Sequence, residues 1–414
     1  MGLLVFNRLE ALANFRMERR HALIGAVVIA LALAAAAAGQ LIFSKGYITP
    51  AGAPVGGDFA AFWTAAKAMA AGDAAKIYDP AIFENWLFSV GPERERWGLT
   101  WQYPPSYFFI IGFLAITPYW LGYALWTGGG IALFAGASRA AGLKGAPWLI
   151  MLCAPAIFQA YITGQNGFLT ASLLLGATLS PDKRPILAGL CAATLTVKPQ
   201  LGLLIPIAYI AGGHWRAFTV AATGGVALAG TSLIVFGIHP WTAFFESLVG
   251  VSGRVGNGAM PLYKMPTVFA TFSLAGFPTP IAAALHLAGA GATAWVTWKI
   301  WRTSESRALK AAIVCTGAFL VAPYAYYYEL VILAAPIALL ATEAAREGWR
   351  RYDHLMLIEL FLICIFLPGE QTRHGFNLPI LVTIVAFLFV LSRLQPAQNE
   401  RRAFIAAASV PSSR

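Results

Sequence analysis

ALIGAVVIALALAAAAAGQLIF, residues 22–43, is an unbroken run of 22 residues without a charged side chain. Coiled as an α-helix it would rise about 33 Å, enough to cross the ~30 Å hydrocarbon core of a bilayer. Arg16, Arg19 and Arg20 precede it, as basic residues precede a secretory signal. The run is nevertheless a full span long, no convincing small-residue cleavage site follows it, and more apolar blocks come after. It is therefore read as a retained first membrane helix.

The rest of the chain repeats that signal. Further apolar blocks lie at about 119–138, 147–162, 166–180, 185–197, 199–211, 216–236, 279–301, 308–322, 325–343, 355–367 and 378–394. Several are shorter than the ~20 residues that a perpendicular span needs, so short or broken helices are expected. Hydrophobic residues make up 58% of the 414 and charged residues only 11%. A soluble domain carries about a quarter charged residues, and that composition excludes a chain solvated by water alone. The four cysteines, Cys153, Cys191, Cys315 and Cys364, all sit in apolar runs and suggest neither disulfides nor a metal site.

A net charge of +11 raises the question of nucleic acid. The basic residues are instead spread over short connectors: Arg139 and Lys144, Lys183 and Arg184, His214 and Arg216, Arg302 to Lys310, Arg346 to Arg351, and Arg393 to Arg402. All fall on one side if the chain crosses about twelve times, which is the positive-inside pattern. The expectation is an all-α polytopic membrane domain over 1–394, with both termini cytoplasmic and 395–414 a polar cytoplasmic tail. No nucleic-acid partner is expected. Two pieces, 107–117 and 265–275, do not fit as full spans and are read as half-helices or re-entrant segments.

The opposite side then carries the polar and aromatic segments. Loop 44–106, between the first two spans, is far longer than an ordinary connector. It holds six of the 18 acidic residues, Asp58, Asp73, Asp79, Glu84, Glu93 and Glu95, against five basic ones. Within it, Phe59, Phe62, Trp63, Ala66 and Ala70 follow helical spacing before Gly72. This predicts a short interfacial helix lying apolar side down on the membrane. Asp58 falls at its N-cap. There its carboxylate either accepts backbone amide bonds or serves as a base at headgroup height.

Five short stretches stand out on this side. Tyr78-Asp79-Pro80 reads as a turn, and Trp101-Gln102-Tyr103-Pro104-Pro105 as an aromatic re-entry to the membrane. Thr163-Gly164-Gln165-Asn166-Gly167 is a tight polar turn, and its two amides are also suited to sugar hydroxyls. Lys198, in Thr196–Gln200, lies against the positive-inside trend, either snorkelling to headgroups or facing a lipid phosphate. Glu329 follows the tyrosine run 326–328 and begins an otherwise apolar helix.

In this order the motifs resemble glycosyltransferase family 87, the polyprenol-phosphate-mannose-dependent α-1,2-mannosyltransferases with the GT-C fold. The resemblance is carried by Asp58-Phe59 and its aromatic-Ala-Ala helix, Tyr78-Asp79-Pro80, Tyr103-Pro104-Pro105, Gly164-Gln165-Asn166, Lys198-Pro199-Gln200 and Tyr328-Glu329. The family commonly separates the Gln and Asn by one residue and carries Tyr-Asp on the late helix. Here Asn166 directly follows Gln165, and glutamate stands at 329.

The resemblance implies a polyprenyl-phosphate donor carrying a hexose, first of all mannose. It implies transfer to a glycolipid or glycan on the outer face of a bacterial cytoplasmic (inner) membrane, with Asp58 catalytic. The residues allow a single inverting displacement in which Asp58 takes the acceptor proton. Lys198, Arg254, Lys264 or Arg373 would stabilise the leaving phosphate. Tyr103, Gln165, Asn166, Tyr328, Glu329 and His239 are candidate sugar or acceptor contacts. No ligand set demands a metal, and no cofactor is expected. The alternatives are a lipid-linked-sugar flippase and a non-catalytic subunit of a polysaccharide-assembly complex. Transporters tend toward paired broken helices with ionisable groups at midplane; here the unusual charges gather at one face.

Overall fold

The structure is a computed structural model that describes residues 10, 14–50, 52–90, 99–256, 261–365 and 377–394. Among them all regular elements are helical, and extended backbone pairs only at two isolated bridges, Lys45 with Ile48 and Ile48 with Pro54. The tail 395–414, Glu93 and Glu95, and the loop 368–376 with Arg373 and His374 lie outside the described residues.

The run that opens the sequence is α1 (Arg19–Ile42). The long first loop contributes α2 (Phe59–Ala70) and α3 (Pro80–Val90), and then come α4 (Phe108–Ile111) and α5 (Tyr119–Ala140). After these, α6 (Gly145–Leu152) and α7 (Pro155–Ile162) form one apolar pair bent by 41°. Pro155 opens α7 without an N–H, so the helical ladder cannot run through the joint. The chain continues through α8 (Gly167–Leu179), α9 (Pro185–Thr194), α10 (Leu204–Ala211), α11 (Trp215–Phe236), α12 (His239–Gly256) and α13 (Val268–Leu274). It closes with α14 (Thr279–Thr303), α15 (Arg307–Val321), α16 (Val331–Glu347), α17 (Asp353–Leu362) and α18 (Leu378–Ser392).

By length and apolarity, Arg19–Ile42, Trp215–Phe236, Thr279–Thr303 and Tyr327–Glu347 can each cross a membrane, and the bent α6–α7 pair makes a fifth. Gly167–Leu179, Pro185–Val197, Pro199–Ala211 and Leu378–Ser392 are apolar but shorter. The count of about twelve spans therefore rests on helices that individually fall below full span length. Exposed side chains point the same way. Leu31 on α1 and Val226 and Ile234 on α11 stand open, an apolar exterior that only lipid solvates without cost. The chain is a multi-pass membrane protein.

Around α8, α15 and α16 the interior is dense with alanine, threonine and leucine. Small residues let membrane helices approach closely where no hydrophobic effect drives them together. The connectors after α8, α10, α14, α16 and α18 meet one another at one end of the bundle. Arg307 donates to the carbonyl of Leu179, His214 Nδ1 lies 3.4 Å from Asp182, Ser306 donates to Glu343, and Arg393 is ion-paired with buried Asp353. These are the basic connectors that the charge pattern places together.

The reading of α2 as an interfacial helix needs correction. Phe59, Phe62 and Trp63 were expected to rest on lipid, yet all three are buried within the protein. They pack against Trp101, Tyr107, Phe108, Tyr119 and Tyr123, and Trp63 Nε1 donates to the carbonyl of Thr117 at 2.9 Å. The piece 107–117 folds over α2 as the short helical turns Phe108–Ile111 and Gly112–Ile116. An apolar stripe satisfies its burial equally well against protein or lipid, and here protein covers it.

Candidate functional site

Two glycine turns set the site. Gly56 and Gly57 have φ of +77° and +50°, and Gly164 has φ of +57°. A Cβ on Gly164 would lie 2.3 Å from the Gly56 carbonyl oxygen and 2.5 Å from Phe59 Cβ. Only glycine accepts both the left-handed backbone and that contact. Pressed together, the turns let the Asp58 N–H donate to the Thr163 carbonyl at 2.9 Å. The first loop is thereby pinned to the α7–α8 turn.

Asp58 occupies the N-cap position of α2, but its side chain makes no capping bond. Its backbone is already helical, at φ −69° and ψ −11°, whereas a capping residue takes extended geometry. Asp58 Oδ2 instead accepts a hydrogen bond from Gln165 Nε2, and Tyr328 lies near enough to favour the ionised carboxylate. Burial raises the Asp58 pKa above the ordinary carboxylate value, outweighing the opposing effects of Gln165, Lys264, Lys198 and Tyr328.

Behind Asp58 the polar side chains form a chain with defined donors and acceptors. Tyr103 donates to Gln165 Oε1 at 3.4 Å, and the Asn166 backbone N–H reaches the same oxygen at 3.3 Å. These two bonds turn the Gln165 amide so that its NH2 faces Asp58. Asn166 Nδ2 donates to the Tyr107 hydroxyl at 2.8 Å, and Asn166 Oδ1 accepts from Lys198 Nζ at 2.8 Å. Lys198 is ion-paired with Glu329. Lys198 and Glu329 are only 5% and 1% exposed, so protein encloses both.

Aromatic rings frame this chain. Tyr103 stacks on Tyr107 with centroids 4.3 Å apart, and Lys198 Nζ stands 5.6 Å from the Tyr103 ring centre. The Tyr78 hydroxyl donates to the Tyr103 carbonyl at 2.7 Å. Asp79 caps α3 through the N–H groups of Ala81 and Ile82. Tyr78-Asp79-Pro80 thus works as more than a turn: its first residue holds Tyr103 in place.

Of the candidates from the sequence, Asp58, Tyr103, Gln165, Asn166, Lys198, Tyr328 and Glu329 come together. Lys264, on the 3₁₀ turn Leu262–Lys264, is half-buried and close enough for its charge to act on Asp58. His239 is exposed at the start of α12, and none of the cluster's hydrogen bonds reaches it. Arg254 lies on α12 with its side chain outside what is described, and Arg373 lies outside the described residues. Tyr107 was missed, although its i,i+4 spacing from Tyr103 across Pro104-Pro105 was a usable signal. Among the described residues no group of three or more His, Cys, Asp or Glu comes together as a metal-ligand set.

This geometry spans two parts of the chain. A family model for glycosyltransferase family 87 matches residues 101–323, more than half of the 414. Tyr103, Tyr107, Gln165, Asn166, Lys198 and Lys264 lie inside the matched region; Asp58, Tyr328 and Glu329 lie outside it and are joined to it by the contacts above. No curated protein and no solved structure matches the chain. With the resemblance of its motifs now matched over more than half its length, the chain belongs to glycosyltransferase family 87.

Proposed function

We propose that this glycosyltransferase moves a hexose, mannose in the first instance, from a polyprenyl-phosphate donor to a hydroxyl of a glycolipid or glycan. Asp58 serves as the base. The observation that carries this reading is a carboxylate withheld from capping and aimed by Gln165, with pKa raised by burial. A base works best when its pKa approaches the working pH. The acceptor oxygen forms a bond to the anomeric carbon as the carbon–oxygen bond to phosphate breaks. Asp58 takes the hydroxyl proton, and the electron pair leaves on phosphate. A β-linked donor then yields an α-linked product.

Lys264 is the cation we assign to the developing phosphate charge, because Lys198 is already matched by Glu329. A mostly apolar groove of about 610 Å³, which runs from Arg19, His21 and His354 at the connector end past Ile29, Ile150 and Leu333, supports a lipid-borne donor. It extends to Leu330, the residue after Glu329. The basic connectors lie at the end of the bundle away from Asp58, which favours transfer on the outer face of the cytoplasmic membrane. Family membership favours an enzyme over the flippase and the non-catalytic subunit.

The test is transfer from polyprenyl-phosphate-[14C]mannose to a membrane-lipid extract by the purified protein in liposomes. Labelled product is expected; its absence with mannose but presence with another polyprenyl-phosphate hexose would correct the sugar alone. No product with any such donor would overturn the reading. The pH profile provides a second check. Because the Asp58 pKa is raised, kcat/KM should climb with pH through a value above the usual ~4 of a carboxylate. An acid limb at or below that value would contradict Asp58 as the base. For stability the sign is opposite. Protonation relieves a buried charge, so Asp58's contribution to folding weakens as pH rises above its unfolded value.

A further inference from the structure

A lysine at a membrane glycosyltransferase site invites assignment to the donor phosphate, yet Lys198 is nearly fully buried and already matched in charge. Its three ammonium protons have two partners in place, Glu329 and Asn166 Oδ1. Asn166 cannot flip without presenting its NH2 to an ammonium, so Lys198 sets that amide's orientation. Asn166 in turn presents Nδ2 to Tyr107, on which Tyr103 stacks, and Tyr103 orients Gln165 toward Asp58. The hydrogen bonds in this series have defined donors and acceptors, the stack of Tyr103 on Tyr107 joins them, and the series ends at the carboxylate.

From this we infer that Lys198 and Glu329 are a positioning pair that holds the Gln165–Asn166 turn, and through it Asp58, rather than a phosphate ligand and an acceptor contact. The inference rests on the reading of Asp58 as the base. Glu329 stands on the turn Tyr327–Leu330 leading into α16 and Lys198 between α9 and α10. The pair therefore ties three helix ends to the α7–α8 turn. Removing one partner strands the other as a buried charge, whereas removing both leaves a neutral gap that packing tolerates far better.

A double-mutant cycle separates these roles. Lys198→Met, Glu329→Gln and the double variant are compared with wild type for kcat, donor KM and acceptor KM with polyprenyl-phosphate-[14C]mannose, and for thermal unfolding in detergent. Each single variant should lower kcat at least about tenfold while both KM values stay within about twofold. The double variant should be less impaired than Lys198→Met and unfold at a higher temperature than either single.

A donor KM raised more than tenfold by Lys198→Met, and equally by the double variant, would make Lys198 the phosphate ligand and overturn the inference. An acceptor KM raised by Glu329→Gln alone would make Glu329 an acceptor contact and do the same. Where a single variant fails to accumulate, the double variant decides: folded protein with near-normal KM values supports the pair, and failure to fold overturns it. The unfolding measurements need no catalysis. Coupling between the two residues thus remains readable if Asp58→Asn shows that Asp58 is not the base.

Discussion

Asp58→Asn should retain fold and donor binding while losing at least about a hundredfold in kcat, the low end of what a general base contributes. The amide keeps the shape of the side chain, and its oxygen still accepts from Gln165 Nε2. What it loses is basicity. Thermal stability at neutral pH should hold or rise, because the ionised carboxylate is held against a desolvation cost that raises its pKa. An active site that costs stability is an ordinary trade-off between fold and function. Labelled-sugar transfer and thermal unfolding of the same two proteins check both halves. Equal transfer by wild type and variant would reduce Asp58 to a structural residue.

The second large effect is expected at a residue that has no side chain of its own. In Gly164→Ala the new methyl meets the Gly56 carbonyl oxygen at 2.3 Å and Phe59 Cβ at 2.5 Å. Alanine also pays about 1–2 kcal/mol for the left-handed backbone. Neither neighbour is the far end of a flexible side chain, so the Gly56–Asp58 turn must retreat. Displacement of a reacting group by about 1 Å costs on the order of a hundredfold in rate. We therefore expect kcat to fall by that factor together with the unfolding temperature. Gly142→Ala provides the control. Gly142 has φ of +111° but nothing within 4 Å of its Cβ position, and it lies in the connector between α5 and α6. It should lower stability with little change in kcat. Equal loss of activity in both variants would show that strain alone, and not the approach to Gly56, governs the effect.

The division of labour between Asp58 and the residues behind it clarifies the family's recurring motifs in this chain. Gln165 and Asn166 are adjacent, yet their side chains serve different neighbours: one aims Asp58, the other joins Tyr107 to Lys198. Their immediate adjacency lets one short turn after α7 hold both. Glutamate at 329, rather than aspartate, reaches Lys198 from the start of α16. Lys264 remains the half-buried cation nearest in effect to Asp58.

Composition and period were enough to identify a helical membrane protein, because a bilayer demands long apolar helices whatever their partners. The charges of the connectors likewise sorted them to one end, and the polar turns at 163–167 and 196–200 were legible as interruptions in apolar runs. Their pairings were not. Lys198 and Glu329 are 131 residues apart in the chain; alone, one reads as a lysine snorkelling to headgroups or facing a lipid phosphate, the other as an acid that begins an apolar helix. Burial of both became visible only when the turn between α9 and α10 and the turn leading into α16 met at the α7–α8 turn. The aromatic face of α2 was misread for the same reason: periodicity shows that a stripe will be buried but not in what. Lipid and protein are equally apolar, so only the folding of residues 101–123 over α2 decided between them, and with that decision the position of Asp58.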